Sequence, residues 1–413
     1  MKILLIHQYF LEKGDGGGSR FNEMTQYWAS LGHHITVLSG MVHYATGKKE
    51  ERYKGKFVVK DADFYKNVDV FRCHVSESYN KNFLGRLWAY FSFVFSSVYA
   101  GLFKLNKKYD VIVATSPPLF VGITAYVLSK FKKLPFIFEV RDLWPESAID
   151  TGVLSNKYII KFAYSFESFV YKKATLINVL TPAFRNKLIE EKQVPKDKVL
   201  FIPNAADFTM AEKIQINFDV KEFRKKMHLD DKFVITYVGA HGVANHLIQL
   251  IDAAEKLTKT NVVFQLIGDG MKKRELQEEV ANRKLNNVIF RNSVSKEEVF
   301  KYILASDVGA SVLKKVDTFK TIYSNKTFDY MSCKKPILLL IDGVSKELIE
   351  KANCGVNAEP ENISHIVKSC KLLLKFKTED LNEMGNNGYM YAKKHFDRTL
   401  LAEEYLTKIK DVI

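Results

Sequence analysis

Short apolar runs recur along this chain, with room for about one helix between neighbours. The first set is KILLIHQYF (Lys2–Phe10), HITVLSG (His34–Gly40), DVFRCHV (Asp69–Val75), DVIVATS (Asp110–Ser116), PFIFEVR (Pro135–Arg141), LINVLTP (Leu176–Pro182) and VLFIPNA (Val199–Ala205). These runs are short and largely apolar, as parallel strands covered on both faces are. Parallel strands need long crossovers, and the intervening FNEMTQYWASLG has helical periodicity and stops at Gly32. A second set follows a polar stretch at Asp207–Asp219: FVITYVG (Phe233–Gly239), VVFQLIG (Val262–Gly268), NVIFRNS (Asn287–Ser293), VGASVL (Val308–Leu313), PILLLID (Pro336–Asp342) and CGVNAEP (Cys354–Pro360). The pattern predicts an α/β chain of two Rossmann-like, doubly wound domains in series. A length of 413 residues is enough for two full cores. The expected divisions are residues 1–207, 208–395 and a final amphipathic helix within 396–413.

The net charge of +15 is unevenly placed, +11 over residues 1–200 and +4 over the rest. A basic first half implies an anionic partner: nucleic acid, anionic membrane or phosphates. No helix-turn-helix, zinc or aromatic RNA-binding signature appears, so nucleic acid is not expected. The four cysteines lack metal-type spacing and read as reduced thiols of a cytoplasmic protein. The opening MKILLIHQYF has no leader-like cleavage region and reads as running straight into the fold. Leu87–Phe103 holds 17 residues without a charge, the lower limit for a membrane span. Because it lies between two strands, a buried or membrane-dipping helix is expected there.

Four stretches carry side chains suited to chemistry. Gly16, Gly17 and Gly18 follow the first strand and open a helix at Arg20, which would let an anion approach backbone N–H groups. The loop is not G-x-G-x-x-G and no acidic residue closes the next strand, so a dinucleotide is disfavoured. In YVGAHGVANH, Gly239 and Gly242 would admit a pyrophosphate, with His241 and His246 either as added donors or as ordinary surface positions. FEVRDLWPES places Arg141, Asp142, Trp144, Glu146 and Ser147 just past a strand, where open α/β sheets bind ligands. Beside it, the rigid turn of TSPPLF ends a neighbouring strand. TIYSNKTFDYMSCKKPI holds Lys326 and Asp329 at the start of a helix. That pairing is either an ordinary solvated helix end or a site for something both phosphorylated and hydroxylated, such as a nucleotide sugar.

Taken in order, the glycine loop, GHHITVLSG, TSPPLF, VRDLWPES, IPNAAD, IGDG and SNKTFDYMSCKKPI resemble the retaining family 4 glycosyltransferases of the two-domain GT-B fold, over almost the whole chain. The combination of RDLWPES with SNKTFDYM is most similar to enzymes of O-antigen and capsule synthesis, some of which transfer N-acetylfucosamine. The resemblance implies two domains facing a cleft, a C-terminal helix crossing back to the first domain, and a UDP-sugar donor. It also implies a polyprenyl-diphosphate-linked sugar acceptor met at an anionic membrane surface on the cytoplasmic side, through the Phe83–Phe103 region and nearby basic residues.

The family's Glu-x7-Glu motif maps onto Thr321 and Asp329. Asp329 would bind the ribose, Lys326 the diphosphate, and Thr321, Ser324 and Asn325 would complete the donor site. The acceptor side would hold Gly16, Gly17, Gly18 and Arg20. Asp142 is the leading candidate for catalytic base, with Arg141 toward the acceptor diphosphate and Glu146 as a competing base. In retaining enzymes of this fold the departing phosphate can itself take the proton. No cofactor and no metal are expected if Lys326 and a helix N-terminus neutralise the diphosphate. A non-catalytic nucleotide- or sugar-binding protein on the same fold is the alternative.

Overall fold

The computed structural model describes residues 1–13, 20–43, 47–78, 83–105, 108–150 and 152–413, with only the backbone at 62, 63 and 83. Gly16, Gly17 and Gly18 lie outside the described residues. The chain divides into two compact units, Met1–Pro203 with Thr399–Ile413, and Asn204–Arg398. These divisions fall a few residues from the expected 207 and 396.

The first unit is built on an eight-stranded sheet. Its strands are β1 (Lys2–Ile6), β2 (His34–Gly40), β3 (Val58–Tyr65), β4 (Val68–Cys73), β5 (Val111–Thr115), β6 (Phe136–Val140), β7 (Leu176–Val179) and β8 (Val199–Phe201). The spatial order is β3-β4-β2-β1-β5-β6-β7-β8. All neighbours are parallel except β3, which pairs antiparallel with β4 at the edge. The sequence did not announce β3: VVKDADFY carries three charges, and its pairing is irregular between Asp61 and Tyr65. Every residue of β5 and β6 is buried, as expected for central parallel strands.

Helices Phe83–Tyr99, Val121–Lys132 and Lys157–Lys173 pack side by side. Their crossovers all lead toward β8, so right-handed connections place them on one face. The charge-free stretch expected at Leu87–Phe103 lies in the first of these helices and the turn that follows it. Among the described residues no helix is long and apolar enough to cross a membrane. The final helix Arg398–Lys410 closes on helix Arg20–Ser30, with Trp28 Nε1 donating to the Ala402 carbonyl at 2.9 Å and Tyr405 against the Trp28 ring.

The second unit has six strands, β9 (Phe233–Val238), β10 (Val262–Ile267), β11 (Val288–Arg291), β12 (Val308–Val312), β13 (Ile337–Leu340) and β14 (Gly355–Asn357). They are all parallel, in the order β11-β10-β9-β12-β13-β14. Successive residues of β13 serve opposite cores: Leu338 and Leu340 join Phe264 and Ile366, while Ile337 and Leu339 join Phe328 and Met331. The strand order reverses direction at β9 and β12, and at β1 and β5 in the first unit. Ligands of open α/β sheets bind at such points. The polar stretch at Asp207–Asp219 is not a loose connector. Asp207 caps a helix, Phe208–Asn217, whose Phe208, Ala211 and Ile214 are buried.

Candidate functional site

In the second unit the switch point is built from Gly239, Tyr237 and Lys326. Strand β9 ends at Val238, and Gly239 follows with φ +141°, a conformation open to glycine and strained for other residues. The Lys326 side chain lies across it: Lys326 Cε sits 3.2 Å from where a Cβ on Gly239 would be. The Lys326 ammonium is 4.7 Å from the Tyr237 ring centroid and 3.4 Å from Ser324 Oγ. Burial pushes this ammonium down to about 8, with the Asp329 carboxylate opposing the shift. A desolvated ammonium of this kind gains from a bound anion, which restores what the lost water supplied.

Helix Asn325–Ser332 carries both Lys326 and Asp329, three residues apart and therefore on one face. The helix is pressed onto β12. A Cβ on Gly309 would fall 2.3 Å from Tyr330 Cγ. Tyr330 Oη donates to the Ala310 carbonyl at 3.0 Å and accepts from Val238 N at 3.1 Å, tying helix, β12 and β9 together. Ser324 precedes the helix as its cap residue, Asn325 Oδ1 accepts from Asn204 Nδ2 at 2.6 Å, and Thr321 Oγ1 donates to the Thr318 carbonyl at 2.6 Å.

His241 departs from its expected place. Its ring is fully buried, between Tyr237 and Phe290, and neither ring nitrogen meets a hydrogen-bond partner among the described residues. Burial, then the Lys273 charge, pushes it down to about 4, so it stays neutral. Its backbone does the structural work, with N on the Asp269 carbonyl at 2.8 Å and O on Lys272 N at 2.9 Å. These bonds fix the Gly239–Gly242 loop against the next one, and a side-chain donor to a ligand is not what His241 offers. Gly242 is uncrowded, and His246 Nε2 lies 3.8 Å from Glu361 Oε1.

In the first unit, Arg141 and Asp142 follow β6. Ser116, the residue before two consecutive cis prolyl bonds, donates from Oγ to the Glu139 carbonyl at 3.2 Å, and the same Oγ accepts from Arg141 N at 3.4 Å. Arg141 Nη1 is 3.4 Å from His7 Nε2. His7 is buried at the end of β1 and held neutral, well below its ordinary range, by burial and by Arg141 and Arg72. Asp142 Oδ2 accepts from Ser147 Oγ at 2.8 Å. Burial, assisted by the Glu146 charge, raises the Asp142 carboxyl to about 6, against the Ser147 bond.

Glu146 and Arg20 are already engaged. Glu146 Oε1 lies 2.7 Å from Lys192 Nζ, which also holds the buried Glu167 at 2.5 Å. That ion pair occupies one Glu146 oxygen, while Oε2 is buried with no hydrogen-bond partner among the described residues. Arg20 is buried and spends Nε and Nη2 on Glu139, and Nη1 and Nη2 on the Pro203 and Ile202 carbonyls. Four of its five donors are thus satisfied inside the unit, and it is not presented to a phosphate. Glu139 also accepts from Asn178 Nδ2 at 2.9 Å. Glu139, His7 and Tyr237 were not singled out by sequence reasoning, although a glutamate inside the apolar run FIFEV signals a buried partner. Among the described residues no three His, Cys, Asp or Glu side chains gather as a metal site.

Residues 15–205 match the glycosyl transferase 4-like domain, and residues 219–391 match glycosyl transferases group 1. WcaI of Escherichia coli (strain K12), named as a glycosyl transferase of colanic acid biosynthesis, is 25% identical over 294 residues, covering 70% of this chain and 71% of that protein. WbjE of Pseudomonas aeruginosa, named as a glycosyltransferase, is 21% identical over 315 residues, covering 74% and 76%. The solved structure of Anabaena Alr3699/HepE in complex with UDP superposes with a TM-score of 0.72 over 100% of both chains at 16% identity, a likeness of fold.

Proposed function

The chain belongs to the two-domain glycosyltransferases of GT-B fold, and from that premise we propose that it moves a sugar from a UDP-sugar to a polyprenyl-diphosphate-linked saccharide, with retention. The donor is an N-acetylated amino sugar such as N-acetylfucosamine, and the product serves capsule or O-antigen assembly at the inner face of the cell membrane. The observation that carries the nucleotide part is the Lys326 ammonium, desolvated beside Gly239 and three residues from Asp329.

In this reading Lys326 and the N-terminus of its helix hold the diphosphate, and Asp329 accepts hydrogen bonds from the ribose hydroxyls. The charge that grows on the leaving diphosphate is met by these groups without a metal. The bond from the sugar's anomeric carbon to UDP breaks and a bond from that carbon to the acceptor oxygen forms on the same face. The acceptor proton goes to Asp142 or to the departing phosphate, while Arg141 holds the acceptor's diphosphate. Thr321, Ser324 and Asn325 bound the donor sugar, and the first unit carries the acceptor.

The test is a panel of UDP-sugars, scored for thermal stabilisation and for UDP release with and without a polyprenyl-diphosphate-sugar. UDP release that requires the acceptor supports transfer. Stabilisation without release under any pairing would favour a binding protein instead.

A further inference from the structure

We infer that a cleft at the amino ends of the second unit's strands binds a small phosphate ester of a sugar, apart from the candidate nucleotide site. Gly239 and Lys326 stand at the carboxyl ends of those strands. The cleft, of about 290 Å³, lies at the opposite ends. Phe233 opens β9, and Asn261, Asp307 and Pro336 immediately precede β10, β12 and β13. The far wall is the turn between helices Ile363–Leu373 and Thr378–His395, with Phe376, Thr378 and Asn382. Sites for drug-sized ligands run from about 300 to 1,000 Å³, so this one suits a smaller body.

Lys335 supplies the charge. It follows the turn that closes helix Asn325–Ser332, with its N donating to the Tyr330 carbonyl at 3.0 Å, and it lines the cleft. A lysine ordinarily buries its stem and keeps its ammonium in water. Burial here pushes the ammonium itself down, with the Asp307 carboxylate opposing the shift. Among the described residues that ammonium has neither an ion pair nor a hydrogen bond. Asp307 is already engaged, since its Oδ2 accepts from Val234 N at 2.7 Å and from Arg224 Nη1 at 3.2 Å. The neighbouring Lys334 ammonium lies 4.8 Å from the Tyr389 ring centroid and brings no negative charge. Lys334, Lys335 and Arg224 thus share one carboxylate, and the charge left over is positive.

The rest of the lining decides the occupant. A desolvated ammonium gains from a phosphate, which restores what the lost water supplied. Thr378 and Asn382 are exposed, and their side chains bond to no other described residue. Asn261 Nδ2 donates to the Asp231 carbonyl at 3.4 Å, which leaves its oxygen over. Phe233 and Phe376 pack on the core and give the cleft apolar edges. Free amides and a hydroxyl beside two rings suit the hydroxyls and C–H faces of a sugar. Glu379 and Asp380, in the first turn of helix Thr378–His395, set negative charge near the rim and disfavour an extended anion such as nucleic acid. The cleft contains no residue of the proposed donor set, so the inference stands apart from the transfer reading.

The test is calorimetric titration of the full chain at low salt with mannose 6-phosphate, mannose and inorganic phosphate. The sugar phosphate binds, inorganic phosphate binds more weakly and mannose does not bind. Lys335→Met removes a charge-assisted contact and weakens the sugar phosphate by about 10- to 100-fold. Its thermal midpoint without ligand stays level or rises, because a desolvated cation without a partner is unfavourable. Asn382→Asp, at an exposed position, sets a carboxylate beside the phosphate and weakens binding as well, which keeps the test decisive if Lys335→Met folds poorly. Lys326→Ala keeps its affinity for the sugar phosphate. Three results overturn the inference: a wild type that binds neither phosphate compound, affinity that Lys335→Met and Asn382→Asp both leave intact, or affinity lost in Lys326→Ala, which would move the anion to the nucleotide site. Inorganic phosphate binding as tightly as mannose 6-phosphate would overturn the assignment to a sugar. A wild type that binds the sugar phosphate but no UDP sinks the transfer reading and leaves the cleft standing.

Discussion

Arg20 Nε reaches Glu139 Oε1 at 3.2 Å, joining two residues 119 positions apart inside the first unit. The pair anchors the helix that follows the glycine loop to the end of β6, and the Ile202 and Pro203 carbonyls complete it. Arg20→Met leaves Glu139 buried without its cation. The expected loss is about 3–5 kcal/mol in chemical denaturation, with UDP titration of the folded fraction unchanged. A variant of undiminished stability that loses affinity for an anionic acceptor would return Arg20 to the ligand.

Lys326 supports a prediction about nucleotide binding and its pH dependence. Lys326→Ala removes a charge-assisted contact and weakens UDP binding by about 1.5–3 kcal/mol. Asp329→Ala weakens it through the ribose. The folded lysine loses its proton near pH 8, below its ordinary 10.5. Binding a diphosphate above that pH therefore takes up a proton. UDP affinity should fall as pH rises past 8, by up to about tenfold per unit, and Lys326→Met should abolish that slope. The same shift makes the lysine's contribution to stability rise between about pH 8 and 10.5, because there the unfolded chain holds the proton that the folded one has released. Isothermal titration from pH 7 upward checks the first. A flat wild-type profile would remove Lys326 from the diphosphate.

Much of this architecture is legible in the apolar runs. Thirteen of the fourteen strands coincide with the expected segments, β4 starting one residue early at Val68, because a parallel strand buried on both faces is apolar at most positions, Glu139 of β6 and Asn178 of β7 being exceptions. Strand β3 escapes because one edge of it is solvated and its charges break the run. The helix Phe208–Asn217 escapes because a stripe of Phe208, Ala211 and Ile214 is thin against so many polar neighbours. The candidate grouping is legible where it is local: Lys326 and Asp329 sit three residues apart, and a helix brings such a pair together. It is not legible where partners are distant. Nothing near Arg20 in sequence points to Glu139, and nothing in HGVANH shows that His241 turns inward between Tyr237 and Phe290.

Asp142 is expected to carry proton transfer. Its carboxyl is raised from its ordinary 3.8 to about 6, mainly by burial. Turnover that depends on the ionised form falls as pH drops through 6, and Asp142→Asn loses about 10²-fold or more while keeping UDP affinity. The stability term has the opposite sense: between pH 3.8 and 6 the folded carboxyl holds a proton the unfolded one has lost, so stability from this group declines as pH rises. Glu146→Gln, whose carboxylate is held by Lys192, should leave turnover near normal. A large loss in Glu146→Gln with normal Asp142→Asn would exchange the two roles. Normal turnover in both would leave the donor phosphate as base.

Gly309 sets how closely helix Asn325–Ser332, which carries the proposed nucleotide ligands, approaches the sheet. A Cβ there would stand 2.3 Å from Tyr330 Cγ and 2.5 Å from both Cδ atoms, far inside contact distance. The ring cannot swing aside, because its hydroxyl is bound to the Ala310 carbonyl and to Val238 N and its side chain is fully buried. In Gly309→Ala the helix Asn325–Ser332 must therefore lift from β12, at a cost of about 1–3 kcal/mol for overpacking. Lys326 and Asp329 move with the helix, away from Gly239. The variant should lose both stability and UDP affinity although it touches no ligand. The paired change Gly309→Ala with Tyr330→Leu removes the ring that is struck and should recover part of the lost affinity. Measured by UDP titration, a Gly309→Ala protein of full affinity would show that the position of this helix does not set the strength of nucleotide binding.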